Sequence, residues 1–368
     1  VVRAAFYVDS HGFGHATRSM ALAEALPASW EVVFKTNASE WLFRKELPRS
    51  YTRVPSPLDI HPVHSTSYRI DSEGTLLKAL EKIRNLDLLV QNEVTWLKES
   101  HIDLVISDIS PIAIQSAREA GIPGFGVSNF TWDWIFEPLF DGMEDQGVVK
   151  TLREMMAVAT TNFRLPFSSP DTFPYGSLDA PLLVRPTRKT RDEARRHYGF
   201  AEGTTFVLIT FGGIEGPVKD MRRLMDFQPL QFVCSAKGPE CAPPNRQGLI
   251  RHPEITNLWI LRRDDLYHPD LVNAVDCVVT KPGYGILSEC MATATPILLD
   301  ARDDFREFEA VRTTAKNYPQ MAILDNTQME QLDIAGPLSR VLEVKPIPWE
   351  GGIDGASFIA DTISKQFQ

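Results

Sequence analysis

Short apolar runs of strand length alternate with helical patterns almost from the first residue, and the alternation restarts after a proline-rich stretch. AAFYV (residues 4–8) leads through a glycine-rich turn into ATRSMALAEAL (16–26) and then EVVFKT (31–36), which predicts a strand–helix–strand opening. TLLKALEKIRNLDLLVQNEVTWLKES (75–100) keeps apolar residues at helical spacing and feeds DLVISD (103–108), and IAIQSAREAG (112–121) feeds PGFGVSN (123–129). Helices placed between strands in this way build a parallel sheet. RLPFSSPDTFPYGSLDAPLLVRP (164–186) then carries five prolines, which break regular elements and mark an interdomain linker. After it comes TRKTRDEARRHYGF (187–200), with Thr190 placed as an N-cap, and then TFVLITFGG (205–213). QFVCSA, LWIL, CVVTK and PILLD follow as four more apolar runs, so a second parallel α/β sheet is expected. DGASFIADTISKQF (354–367) reads as an amphipathic helix packing at the junction of the halves.

A length of 368 residues agrees with two cores, since one core rarely grows beyond ~250–300 residues. The expected division is 1–165, a linker at 166–186, 187–345, and a tail at 346–368. Apolar residues at 43% exclude a disordered chain, and a net charge of -10 argues against a general nucleic-acid binder. LWIL and CVVT fall far short of the ~20 apolar residues of a membrane span. The opening VVRAAFYV reads as a strand and not as a secretory signal. Cys234, Cys241, Cys277 and Cys290 show no CxxC spacing and read as structural thiols, so the cytoplasm is the expected compartment.

Chemistry is expected at the glycine turns. In DSHGFGHATR (9–18), Gly12 and Gly14 sit between a strand and a helix start, where the backbone can approach a ligand and helix N–H groups face an anion. This is neither GxGxxG nor a Walker A loop, which disfavours nicotinamide, flavin and nucleoside triphosphate. His11 and His15 flank these glycines; a histidine there can deprotonate a hydroxyl if a carboxylate fixes its tautomer. Asp108, closing LVISD at the same sheet edge, is the candidate partner, the alternative being a cap for the helix begun by Pro111. In the second half, Lys281, Pro282, Gly283, Tyr284 and Gly285 open a helix after DCVVT, so its dipole end can hold a diphosphate. Glu289, a turn further in, is placed to accept both ribose hydroxyls. Gly212 and Gly213 form another phosphate-facing turn. Asp303, Asp304, Arg306 and Glu307 follow the strand PILLD, where sugar hydroxyls could be gripped.

These motifs resemble those of the GT-B glycosyltransferases, whose architecture is two Rossmann-like domains facing a cleft. The resemblance covers nearly the whole chain. Lys281, Gly283 and Glu289 stand at the spacing at which such enzymes place a basic or imidazole residue, a glycine and the ribose-binding glutamate. HGFGHATR, with SNFTWDWI (128–135), is closer still to the glycosyltransferase-like N-terminal half of plant L-arabinokinases and their stand-alone microbial relatives. By this resemblance His15 matches the base of many inverting members and Asp108 its dyad partner. Lys281 stands where a histidine is common, and Arg306-Glu307 replaces the usual donor-gripping pair. The kinase half of an arabinokinase, and its phosphate loop, do not occur in this chain.

Phe130, Trp132 and Trp134 are candidate acceptor platforms, with core packing as the alternative. His61 and His64 lie in an acceptor-side loop, and neither has an Asp or Cys companion at metal-like spacing, so no metal is expected. The basic run RPTRKTRDEARRH (185–197) reads as a solvated helix face. The expected function is transfer of a sugar from a nucleoside-diphosphate sugar, a UDP-sugar first among them, to an acceptor hydroxyl, with inversion and without metal or cofactor. Two readings stay open beside it: a nucleotide-sugar 2-epimerase, and a sugar-nucleotide-binding sensor or subunit without turnover.

Overall fold

The computed structural model describes residues 1–64, 69–211, 216–235 and 248–367. They form two compact units, one of Val1–Val184 with Asp304–Ala310 and Gly351–Gln368, the other of Arg185–Asp303 with Val311–Glu350.

The first unit carries β1 (Arg3–Val8), α1 (Gly14–Ala25), β2 (Glu31–Lys35), α2 (Glu40–Glu46), β3 (Thr52–Val54), β4 (Val63–His64), β5 (Ile70–Asp71), α3 (Ser72–Arg84), α4 (Leu86–Glu99), β6 (Leu104–Asp108), α5 (Pro111–Ala120), β7 (Gly124–Ser128), α6 (Trp132–Leu139), α7 (Val148–Ala157), β8 (Thr161–Arg164) and β9 (Leu178–Asp179). Seven of these strands pair in the order β3-β2-β1-β6-β7-β8-β9, every pair parallel. Ala4 to Val8 and Leu104 to Asp108 are all buried, because helices cover both faces of a parallel sheet. The core on one face joins Val105 of β6 to Leu97, Ile112, Trp132, Phe136 and Leu152 on the covering helices. The helix expected over 75–100 is two helices, divided at Asn85, whose Nδ2 donates to the Glu81 carbonyl at 2.9 Å. An asparagine side chain that takes up a backbone carbonyl competes with helix propagation.

The second unit carries α8 (Arg191–Tyr198), β10 (Phe206–Thr210), β11 (Gln231–Ser235), β12 (Gly248–Arg251), β13 (Leu258–Arg262), α9 (His268–Ala274), β14 (Cys277–Thr280), α10 (Tyr284–Thr293), β15 (Ile297–Asp300), the later part of α11 (Glu307–Ala315), β16 (Met321–Leu324), α12 (Asn326–Gln331) and α13 (Ala335–Glu343). Its strand order is β12-β13-β11-β10-β14-β15-β16. The edge strand β12 runs antiparallel to β13, so the sheet is not wholly parallel as expected. Thr190 caps α8 in a reciprocal box with Glu193, as its position in the sequence suggests. The C-terminal helix α14 (Gly355–Ser364) belongs to the first unit, where it packs on α1. A Cβ on Gly355 would stand 2.4 Å from the Pro181 carbonyl oxygen, which explains the glycine at that close approach.

Candidate functional site

In the first sheet β1 lies between β2 and β6, so the direction of strand succession reverses there, and it is outside the carboxyl ends at such a reversal that open α/β sheets hold ligands. Val8 is in register with Asp108, which brings the turn after β1 beside the last residue of β6. Gly12 has φ +73, a left-handed conformation that glycine adopts without steric cost, and it delivers the chain into α1 at Gly14. His15, one residue into α1, is buried and places Nδ1 2.8 Å from Asp108 Oδ1. One helical turn on, Arg18 donates from Nε to Asp108 Oδ2 at 2.6 Å and from Nη2 to Oδ1 at 2.5 Å. Ser19 Oγ adds a bond to Oδ2 at 3.2 Å. Burial by itself would raise the Asp108 carboxyl, but the charges of Arg18 and His15 outweigh it and hold the group at about 2. Arg18 also donates from Nη1 to Asn129 Oδ1 at 2.7 Å, and Asn129 Nδ2 donates to Glu307 Oε1 at 2.7 Å.

His15 Nδ1 has a second neighbour, Arg18 Nη2 at 3.0 Å. The two neighbours call for opposite tautomers. Donation to Asp108 puts the proton on Nδ1 and leaves the Nε2 lone pair able to accept a proton; acceptance from Arg18 requires the proton on Nε2.

His11 ring-stacks with His64 at 5.0 Å between centroids and tilts against His61 at 5.4 Å. Burial and the nearby charge of His15 push it down to about 3, so it is a neutral imidazole at physiological pH. Phe130, Trp132 and Trp134 are 5%, 1% and 4% exposed, so their faces are spent on the core and not on an acceptor. Trp132 stacks on Phe136, and Phe130 meets His15 edge-on.

Arg306 and Glu307, expected to grip a donor sugar, lie in segment 304–310, which belongs to the first unit. Arg306 lies over the Trp134 ring at 4.4 Å, donates to the Trp134 carbonyl at 2.7 Å, and pairs with Glu137 at 3.0 Å and Asp171 at 2.9 Å. Glu307 accepts from Asn129 as described. Their charged ends are satisfied there by groups of opposite polarity.

In the second unit β10 and β14 are paired through Thr210 and Thr280, so the turns after both strands leave the same edge. Gly212 and Gly213 lie outside the described residues. Lys281 begins the turn that delivers Gly283 as the N-cap of α10, followed by Tyr284 and Gly285 in its first turn. A Cβ on Gly283 would come no nearer than 4.0 Å to another protein atom, so internal packing does not demand glycine at this helix mouth. Glu289, further along α10, accepts from Arg185 Nη2 on Oε1 at 2.7 Å and is joined to His268 Nδ1 through Oε2 at 2.6 Å. Burial opposes ionisation, yet His268 and Arg185 together hold this carboxyl at about 2. Each oxygen keeps a second acceptor direction.

Arg18, Asn129, Arg185 and His268, none of them singled out from the sequence, are the residues that bond to the candidates Asp108, Glu307 and Glu289. Arg18 and Asn129 stand inside the motifs HGFGHATR and SNFTWDWI, and that was the available signal. Arg185 lies in the proline-rich stretch read as linker, and nothing in its surroundings marks it.

No protein-family model matches the chain. The L-arabinokinase of Arabidopsis thaliana is 29% identical over 367 residues, 98% of this chain but 34% of that protein, so the chain spans about a third of its relative's length. Among solved structures, the glycosyltransferase SnogD from Streptomyces nogalater matches with TM-score 0.60 at 16% identity, covering 100% of this chain and 98% of that one. A UDP-glucosyltransferase from Polygonum tinctorium capable of glucosylating indoxyl gives 0.64 at 12%, covering 99% and 93%. The glycosyltransferase VinC, in complex with dTDP, gives 0.59 at 15%, covering 100% and 95%. Among the described residues no helix is long and apolar enough to cross a membrane. Two Rossmann-like sheets with these likenesses constitute the GT-B glycosyltransferase fold, and over its whole length the chain is homologous to part of an L-arabinokinase.

Proposed function

We propose that the protein is a glycosyltransferase that moves a sugar from a nucleoside-diphosphate sugar, a UDP-sugar first among them, to an acceptor hydroxyl with inversion. The observation that carries this reading is the His15–Asp108 pair, 2.8 Å apart at the switch point of the first sheet. Asp108 stays ionised and accepts a hydrogen bond from Nδ1–H, and Nε2 removes the acceptor proton as the acceptor oxygen attacks the anomeric carbon, which leaves an imidazolium that the carboxylate stabilises. The bond to the diphosphate breaks on the opposite face, and the first turn of α10 with Lys281 balances the departing charge without a metal at that position. Glu289, kept ionised by Arg185 and His268, accepts the ribose hydroxyls through its remaining lone pairs. Whole-arabinokinase activity is not part of this proposal, since the chain spans a third of that relative.

A second reading, nucleotide-sugar binding without turnover, is favoured by one observation: Arg18 Nη2 stands 3.0 Å from His15 Nδ1 and supports the tautomer that cannot act as a base. One experiment separates the two. UDP-, GDP-, dTDP- and ADP-sugars are first ranked by thermal shift, and nucleoside diphosphate release is then measured with an acceptor panel. Acceptor-dependent release with an inverted product supports transfer. Tight binding without release supports the second reading, and conversion of the sugar without acceptor would show an epimerase.

A further inference from the structure

Directly after β1, in the turn that leads on to His15, a group of metal-ligating side chains gathers that the proposed transfer chemistry does not use. One oxygen of Asp9, one of Asp59 and one ring nitrogen of His61 all lie within 4.8 Å of one another. His61 Nδ1 is 2.9 Å from Asp9 Oδ1, across a separation of 52 residues that no spacing rule applied to the sequence could reveal. We propose that Asp9, Asp59 and His61 form a binding site for one divalent first-row transition ion of the zinc class.

Ligands at ~2.0–2.2 Å from a shared ion stand ~3–4 Å from each other, so a contraction of the order of 1 Å closes the site. Its parts are held in place. The Asp9 carboxylate, 4% exposed, also accepts the His11 amide at 2.8 Å, and Asp59 accepts from Ser10 Oγ at 2.5 Å and Asn37 Nδ2 at 3.4 Å. Such supporting bonds are what orient ligands around a metal. The His11 ring stands against His61 and stacks on His64, so a further imidazole nitrogen donor is close to the group. Charge argues the same way. Two carboxylates, those of Asp9 and Asp59, crowd here, and the Lys78 ammonium, donating to the His61 carbonyl at 3.1 Å, supplies positive charge nearby. A dication would neutralise both. Mixed carboxylate and imidazole donors without sulfur select zinc, cobalt or manganese over copper(I), and imidazole disfavours magnesium and calcium.

The inference is independent of the transferase reading, since binding is expected whether or not a sugar is moved. The full chain, stripped with chelator, is titrated with Zn²⁺ by calorimetry and with Co²⁺ by visible absorption. One equivalent is expected, with a cobalt spectrum of mixed nitrogen and oxygen ligation that survives excess Mg²⁺. Asp59→Asn and His61→Ala should each weaken Zn²⁺ binding at least about 10–100-fold, while His252→Ala, in the other unit, leaves it unchanged. Both ligand variants are melted without metal, and Asn37→Ala, which keeps every ligand but loosens Asp59, serves if either fails to fold. Binding without a defined stoichiometry, equal affinity in the variants, or displacement of cobalt by Mg²⁺ would overturn the proposal.

Discussion

Replacing Arg18 by Met removes the guanidinium that clasps Asp108 and keeps a side chain of similar length. Asp108 is 3% exposed, and its carboxyl is lowered from an ordinary 3.8 to about 2, chiefly by Arg18 once burial has been overcome. A depression of nearly two units corresponds to roughly 2–3 kcal/mol of stability at neutral pH. Breaking a buried ion pair from one side typically costs ~3–5 kcal/mol, because the other charge is left unpaired. The two figures meet near ~3 kcal/mol. A depressed carboxyl contributes its stability above the unfolded value and loses it as pH falls toward the folded value, so the wild-type contribution disappears between about pH 4 and 2. In Arg18→Met the acid transition begins at higher pH, and the deficit against wild type shrinks below pH 4 as Asp108 protonates in both. Urea unfolding followed by tryptophan fluorescence suits the measurement, since Trp30, Trp41, Trp96, Trp132 and Trp134 all lie in this unit. Adding Asp108→Asn to Arg18→Met should restore part of the loss, because the unpaired charge goes with it. A deficit below ~1 kcal/mol, or one that does not change between pH 7 and pH 3, would refute the reasoning.

Three further outcomes are expected. His15→Ala should lower turnover by ~10²–10⁴-fold while donor affinity is kept, as steady-state kinetics and calorimetry would show; unchanged turnover removes His15 as the base. Glu289→Gln should weaken binding of the nucleoside diphosphate, and the stability that the wild type loses as pH falls from 4.5 toward 2, the sign expected for a depressed carboxyl, should be missing from the variant's acid titration; unaltered affinity sinks the ribose role. Arg306→Ala should leave nucleotide affinity within about twofold, since that side chain is held by Glu137 and Asp171, and a loss beyond tenfold would return it to the donor site.

Local pattern made much of the fold legible: strand-length apolar runs, the Thr190 cap and the glycine turns after β1 and β14 lie where periodicity and turn chemistry put them. What local pattern could not show is where a polar end goes once the chain has folded. Arg306 and Glu307 follow PILLD in sequence, but segment 304–310 packs with the first unit, a tertiary choice with no local signature. Trp132 and Trp134 present the same letters whether they stack on a sugar or on Phe136, and burial decides. Asp9 and His61 are separated by half a domain and meet only because β1 ends beside the loop after β3.

HGFGHATR is longer than a glycine turn requires, and the structure accounts for its length. Gly12 supplies the left-handed residue that turns the chain into α1, and His15 and Arg18 are three apart, so they share the helix face toward Asp108. A turn that only cradled a phosphate would need the glycines and the helix start. A dyad alone would need His15 and Asp108. Arg18 adds a third demand: it keeps Asp108 ionised while competing for His15 Nδ1, so one residue both secures the dyad's charge and restrains its basicity. The balance between the two tautomers of His15 is therefore set inside this single motif, and a change at Arg18 shifts stability and proton-accepting capacity together.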